Sequence, residues 1–160
     1  MQIMHKKAFT LVELIFIIVV LGILSIVAIP RYLTQRDDAT AAVCTQEVQQ
    51  LISEISQKYL TVNYHTFDVM PIDEITNIRT GAVSGNGISS VSGTLVKNGI
   101  VYICDGENLV ELKGGVVGTE YNLTVRDLDP SNAPAAVTAA EIIRNLNGIE
   151  TAGGTNSYKL

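Results

Sequence analysis

A chain of 160 residues fits one domain, and residues 31–160 are ample for a single core once the apolar N-terminal stretch is set aside. Its formal charge of −5, from 11 basic and 16 acidic side chains, makes it a poor nonspecific ligand for nucleic acid, and no specific nucleic-acid site is evident. Two cysteines without a Cys-x-x-Cys and only two histidines leave no metal-ligand cluster of the usual spacing, and nothing in the sequence calls for a cofactor.

Residues 9–29 read FTLVELIFIIVVLGILSIVAI. Glu13 is the one charge in these 21 positions, and only Thr10, Gly22, Ser25 and Ala28 otherwise interrupt the large apolar side chains. At about 1.5 Å per residue such a helix covers roughly 30 Å, the thickness of a bilayer core. A secretory signal peptide also follows a basic region, but its apolar part is shorter and ends at small residues. This run ends instead in Ile29-Pro30-Arg31-Tyr32, which favours a retained membrane helix. Charge does not set its orientation, because Lys6 and Lys7 before the run are matched by Arg31 and Arg36 after it.

Glu13 is the anomaly. A carboxylate at the centre of a membrane helix costs about 2.5–3.5 kcal/mol on insertion scales, and less near an interface. One explanation is purely local: the side chain lies one turn inside the helix, reaches the headgroups and favours the positive helix N-terminus. A second follows if the chain is cut between Ala8 and Phe9, since the new α-amine would be a cation four residues before Glu13, on the same face of a helix running from Phe9. The cut would also remove Lys6 and Lys7, leaving nine basic against sixteen acidic side chains, a balance of −7.

The stretch Lys6-Lys7-Ala8-Phe9-Thr10-Leu11-Val12-Glu13-Leu14 resembles the processing motif of type IV prepilins and of the related type II secretion pseudopilins. The resemblance implies that residues 1–8 are a leader and that a membrane peptidase cuts between Ala8 and Phe9. It implies N-methylation of Phe9 by the same peptidase/methyltransferase, and a part in subunit assembly for Glu13, the fifth mature residue. Family members usually carry glycine before the cut; Ala8 is small enough to replace it with slower processing. The implied partners are other copies of the chain, other pilins and the inner membrane. The implied location is the bacterial inner membrane for the precursor, then an extracellular pilus or a periplasmic pseudopilus. Gly22 and Pro30 both disfavour a helix interior, so a weak point or kink is expected there. An ordinary kinked membrane helix accounts for that, and the resemblance implies a stretch that filament packing can melt.

Past Pro30, Cys44, Val48, Leu51, Ile52, Ile55, Tyr59 and Val62 recur at three- and four-residue steps among polar residues. One helix is expected from about Phe9 to about Tyr59, residues 9–30 in the membrane or filament core and residues 31–160 forming a globular domain that includes its outer half. The small-residue stretch 81–87 reads as a surface loop, and it lacks the Lys-Ser/Thr ending of a phosphate loop. Thr94-Leu95-Val96-Lys97 and Ile100–Cys104 flank Asn98-Gly99, which predicts a hairpin with a type I′ turn. Asp105-Gly106 turns the chain into Leu109–Lys113, and Gly114-Gly115 leads on to residues 121–126. Alternation in these runs gives a one-sided antiparallel sheet whose apolar face meets the helix stripe, an α+β fold of the kind the resemblance implies. Thr138-Ala139-Ala140-Glu141 has the form of a capping box opening a short helix that stops at Gly148, with a loose tail beyond Gly153.

Cys44 and Cys104 both face the same expected core, as a disulfide or as two buried thiols. The resemblance adds no pairing, since many pilins bracket a C-terminal loop with their cysteines. No catalytic constellation is found, so an enzyme is not expected. His65 is a lone histidine in a loop, Asp127 and Asp129 read as turn formers beside Pro130, and Asp105, Glu107 and Asn108 are too sparse for a calcium loop. Asn122-Leu123-Thr124 fits the short glycosylation acceptor pattern. Three functions are compatible with these features: a subunit of a type IV pilus, a pseudopilin of a secretion or DNA-uptake machine, and a membrane-tethered binding module that never polymerises.

Overall fold

A helical period holds from Leu11 to Thr61, and a strand period takes over in the second half of the chain. The structure, a computed structural model, describes residues 9–84, 87–89, 96–117 and 120–160. Its contacts divide into two units, one ending at Arg36 and one comprising Asp37–Leu160. Helix α1 (Leu11–Thr61) contributes to both.

In the first unit every described side chain up to Arg36 is exposed, among them Leu11, Phe16, Ile23 and Ile26. An 18-residue window here has mean hydropathy 3.1 with none of it buried, so the segment is long and apolar enough to cross a membrane. Helical assignment continues through Gly22 and Pro30. Pro30 has no N–H to donate to the preceding turn, while its own carbonyl accepts the Thr34 hydroxyl at 3.1 Å.

In the second unit α1 buries Ala41, Cys44, Thr45, Val48, Leu51 and Ile55 along one stripe. These side chains share one core with the inner face of a six-stranded antiparallel sheet. The strands are β1 (Thr80–Ser84), β2 (Gly87–Ser89), β3 (Ile100–Cys104), β4 (Glu107–Val117), β5 (Glu120–Asp127) and β6 (Thr155–Lys159), in the order β2-β1-β3-β4-β5-β6. Leu112, Tyr121, Leu123 and Val125 face the core, while Lys113 and Arg126 on alternate positions are exposed. Burying each large apolar side chain is worth about 1.5–3 kcal/mol. A short helix α2 (Tyr64–Phe67) closes one end with an aromatic cluster, in which Tyr59 stacks on Tyr121 at 4.7 Å and Phe67 meets Tyr121 edge-on at 5.4 Å. Helix α3 (Pro134–Asn147) adds Ala136, Ala139, Ala140 and Ile143 to the same core.

Five expectations are corrected. Residues 81–84 and 87 belong to strands β1 and β2, paired Ser84 with Gly87, because β3 offers an edge that small residues can line. Asn98-Gly99 does not turn a hairpin: Val96–Asn98 form a 3-10 turn, Gly99 N–H donates to the Val96 carbonyl at 3.2 Å, and both edges of β3 are taken by β1 and β4. Thr94 and Leu95, the start of that expected hairpin, lie outside the described residues. Helix α3 begins a turn before the Thr138 box, at Pro134, whose fixed φ suits the first helical position and whose neighbours Ala135 and Ala136 are buried. The expected tail is strand β6, held along β5 by five register pairs.

Gly99 does take positive φ, at 85°, but the strand-joining turn with two consecutive left-handed residues is Asp105-Gly106, at φ 50° and 84°, between β3 and β4. Gly114 and Gly115, expected as a connection, continue β4. Gly114 is required there, because a Cβ would lie 1.8 Å from the Tyr121 hydroxyl oxygen.

Candidate functional site

At its head α1 is capped by its own side chains. Thr10 precedes the first helical residue, and Glu13 Oε2 accepts both the Thr10 backbone N–H and the Thr10 hydroxyl at 2.8 Å. Thr10 Oγ1 in turn accepts the Glu13 N–H at 3.3 Å. This is a reciprocal capping box, which satisfies donors that a helix start leaves unpaired. Thr10 was legible: Thr-x-x-Glu before an apolar run is the pattern itself, yet within a membrane segment it reads as a mere interruption. Phe9 lies just ahead of the cap and is 78% exposed, so it does not share a helical turn with Glu13. Ala8 lies outside the described residues. A methyl group at Gly22 would meet nothing within 4 Å, so no contact inside the chain demands glycine there.

The body's helix is fastened to the sheet near Cys44. A disulfide joins Cys44 to Cys104, the last residue of β3. One turn on, the Tyr102 hydroxyl donates to Glu47 Oε2 at 2.6 Å. Burial pushes the Tyr102 phenol well above its usual range, and the Glu47 carboxylate beside it adds to the shift.

The remaining candidates separate into surface and framework. His65 is exposed beside Tyr64, with ring centres 5.5 Å apart. Asp127 is no solvated turn former: it is 1% exposed, and its Oδ2 accepts from Arg144 at 2.8 Å and from the Gly153 N–H at 2.9 Å. Asp129 is the turn residue, at φ 51°, with its N–H on Asp127 Oδ1 at 3.3 Å. Glu107 accepts the Asn132 side-chain and backbone N–H groups and the Ser131 N–H. Those bonds, the Asn132 side chain foremost, hold its carboxyl below the usual range. Asn122 is half-buried on β5 opposite Gly115. Among the described residues no group of three His, Cys, Asp or Glu is placed to hold a metal ion.

No protein-family model matches the chain, and no solved structure matches it. It is similar to the type IV major pilin protein PilE of Neisseria gonorrhoeae, 34% identical over 98 residues, which cover 60% of this chain and 54% of that protein. The match therefore spans about half the length of that relative. A long apolar N-terminal helix, the outer half of which packs on an antiparallel sheet, fits this likeness to a type IV pilin.

Proposed function

We propose that the chain is a structural subunit that polymerises through α1 into a surface filament, serving adhesion, motility or DNA uptake rather than catalysis. The observation that carries this reading is the fully exposed apolar half of α1 with one carboxylate in its first turn. So much exposed apolar surface has to be covered, first by lipid and then by neighbouring helices. Cleavage between Ala8 and Phe9 leaves the capping box intact, since the Thr10 N–H remains an amide. Among the described residues both hydrogen bonds that Glu13 accepts fall on Oε2, and Oε1 is the oxygen we assign to the N-methylated amine of Phe9 in a neighbouring copy. Gly22 and Pro30 supply a stretch of low helix propensity in the packed core.

The outer half of the helix supports the same reading. Its face turned from the body runs Ala39, Ala42, Gln46, Gln50, Ser53 and Gln57, all exposed and none charged, while Glu47, Glu54 and Lys58 flank it half-buried. Depletion of charge marks the centres of protein interfaces. The prepilin peptidase/methyltransferase, the inner membrane and further pilins are the partners this reading requires. A pseudopilin would share the same head and stem and differ in filament length. A tethered module that never polymerises would need Glu13 only as a cap.

Glu13→Gln separates the two uses of that side chain, because glutamine keeps the oxygen that caps Thr10 and loses the charge. In cells the variant is expected to be processed, to stay in the membrane and to form no filaments by electron microscopy. Wild-type filament numbers from Glu13→Gln would sink the pairing role and leave the tethered module.

A further inference from the structure

The position of the cystine, together with the polarity of the helix it holds, points to a mechanical role. Within the body the buried stripe of α1 starts at Ala41 and Cys44, after residues 37–40 that are exposed or half-exposed. The disulfide to Cys104 therefore falls in the first turn of that stripe, the turn nearest the apolar stem in sequence, and the Tyr102–Glu47 hydrogen bond follows one turn on. Farther along, Leu51 and Ile55 hold the helix by apolar contact.

We propose that the Cys44–Cys104 bond is a latch that stops the body's helix from being peeled off the sheet when the chain is pulled through its N-terminal stem. The inference rests on the filament reading, since a stem fixed among neighbouring helices is what transmits such a pull. Apolar contacts are individually weak and short-ranged, so a load entering at one end of a packed helix breaks them row by row. A covalent bond at the first row spreads the load over all rows at once. The same bond anywhere from Leu51 onward would leave Ala41, Cys44 and Val48 to open first. Placement at the head of the stripe is what distinguishes a latch from a bond that only lowers the entropy of the unfolded chain.

Optical-tweezers pulling on the full chain in detergent micelles tests this, with one handle at the N-terminus and the other on an azide-bearing residue at position 113, on the exposed face of β4. The oxidised chain is expected to yield in a single high-force event. After dithiothreitol has reduced the cystine to two thiols, itself closing to a cyclic disulfide, a separate low-force, reversible step sized for residues 41–61 should come first. The double variant Cys44→Ala, Cys104→Ala should reproduce the reduced trace without reductant. An identical first event in the oxidised and reduced chains, or a reduced chain that ruptures in one step, would overturn the latch. The measurement is made on single chains, so it stands apart from the filament assay on Glu13→Gln.

Discussion

Glu13 caps Thr10, and under the proposed function it also meets the amine of a neighbouring copy; the two uses ask for different chemistry. Thr10 needs an oxygen at position 13, whereas a neighbouring amine needs a charge. Thr10→Ala is therefore expected to cost about 1 kcal/mol at the helix head, read as faster amide exchange over residues 11–14 in detergent; unchanged exchange there would remove the cap from the account. In the body the residue with most at stake is Asp127, buried, paired with the half-buried Arg144 and holding the Gly153 N–H. Asp127→Asn removes the buried charge of that pair, and a loss of about 1–3 kcal/mol is expected, read as a lower urea midpoint. Gly114 and Tyr121 form a second coupled pair. Gly114→Ala drives a methyl into the tyrosine ring and should cost about 1–3 kcal/mol, while Tyr121→Phe removes a buried hydroxyl with no partner among the described residues and should be near neutral. Glu107 sets a pH dependence: its folded carboxyl titrates below its unfolded value, so its contribution is present above the ordinary glutamate range and is lost as pH falls through the lowered value. Glu107→Gln should flatten the acid limb of the stability curve, and an unchanged limb would contradict the three N–H contacts as its source.

Among the elements, those with a strong internal period were legible and those made by their neighbours were not. The stripe from Cys44 to Ile55 and the alternation through Leu112, Leu123 and Val125 announced the helix and the central strands, because each had to hide one face. Gly81, Ala82 and Ser84 announced nothing, since small residues carry no burial pattern; they form a strand because they pair along the edge of β3 opposite β4. Strand β6 carries a weak pattern of the same kind, with Thr155, Ser157 and Lys159 exposed and only Asn156 and Tyr158 half-buried, and it is added to β5 by backbone pairing. The first turn of α3 hid behind a good capping sequence one turn too late, where Pro134 was the stronger signal. At the head of the stem the motif gave Glu13 and Phe9, but a membrane reading masked the cap at Thr10. The disulfide closes a separation of 60 residues between helix and sheet. Its loss should cost about 4 kcal/mol in the chain-entropy model, seen as a lower urea midpoint after reduction; a shift below a quarter of that would leave the cystine with little thermodynamic weight.

For the whole molecule the account makes one demand: that the precursor be cut so that an apolar stem with a new terminal cation can meet a carboxylate on the next copy. The exposed stem, the Thr10–Glu13 head and the uncharged outer face of α1 are the features on which that proposal rests. The most direct test is the intact mass and N-terminal residue of the mature protein taken from cells. The predicted result is a chain that begins at Phe9, with the mass of residues 9–160 plus one methyl group. A mature chain that still begins at Met1 would contradict it.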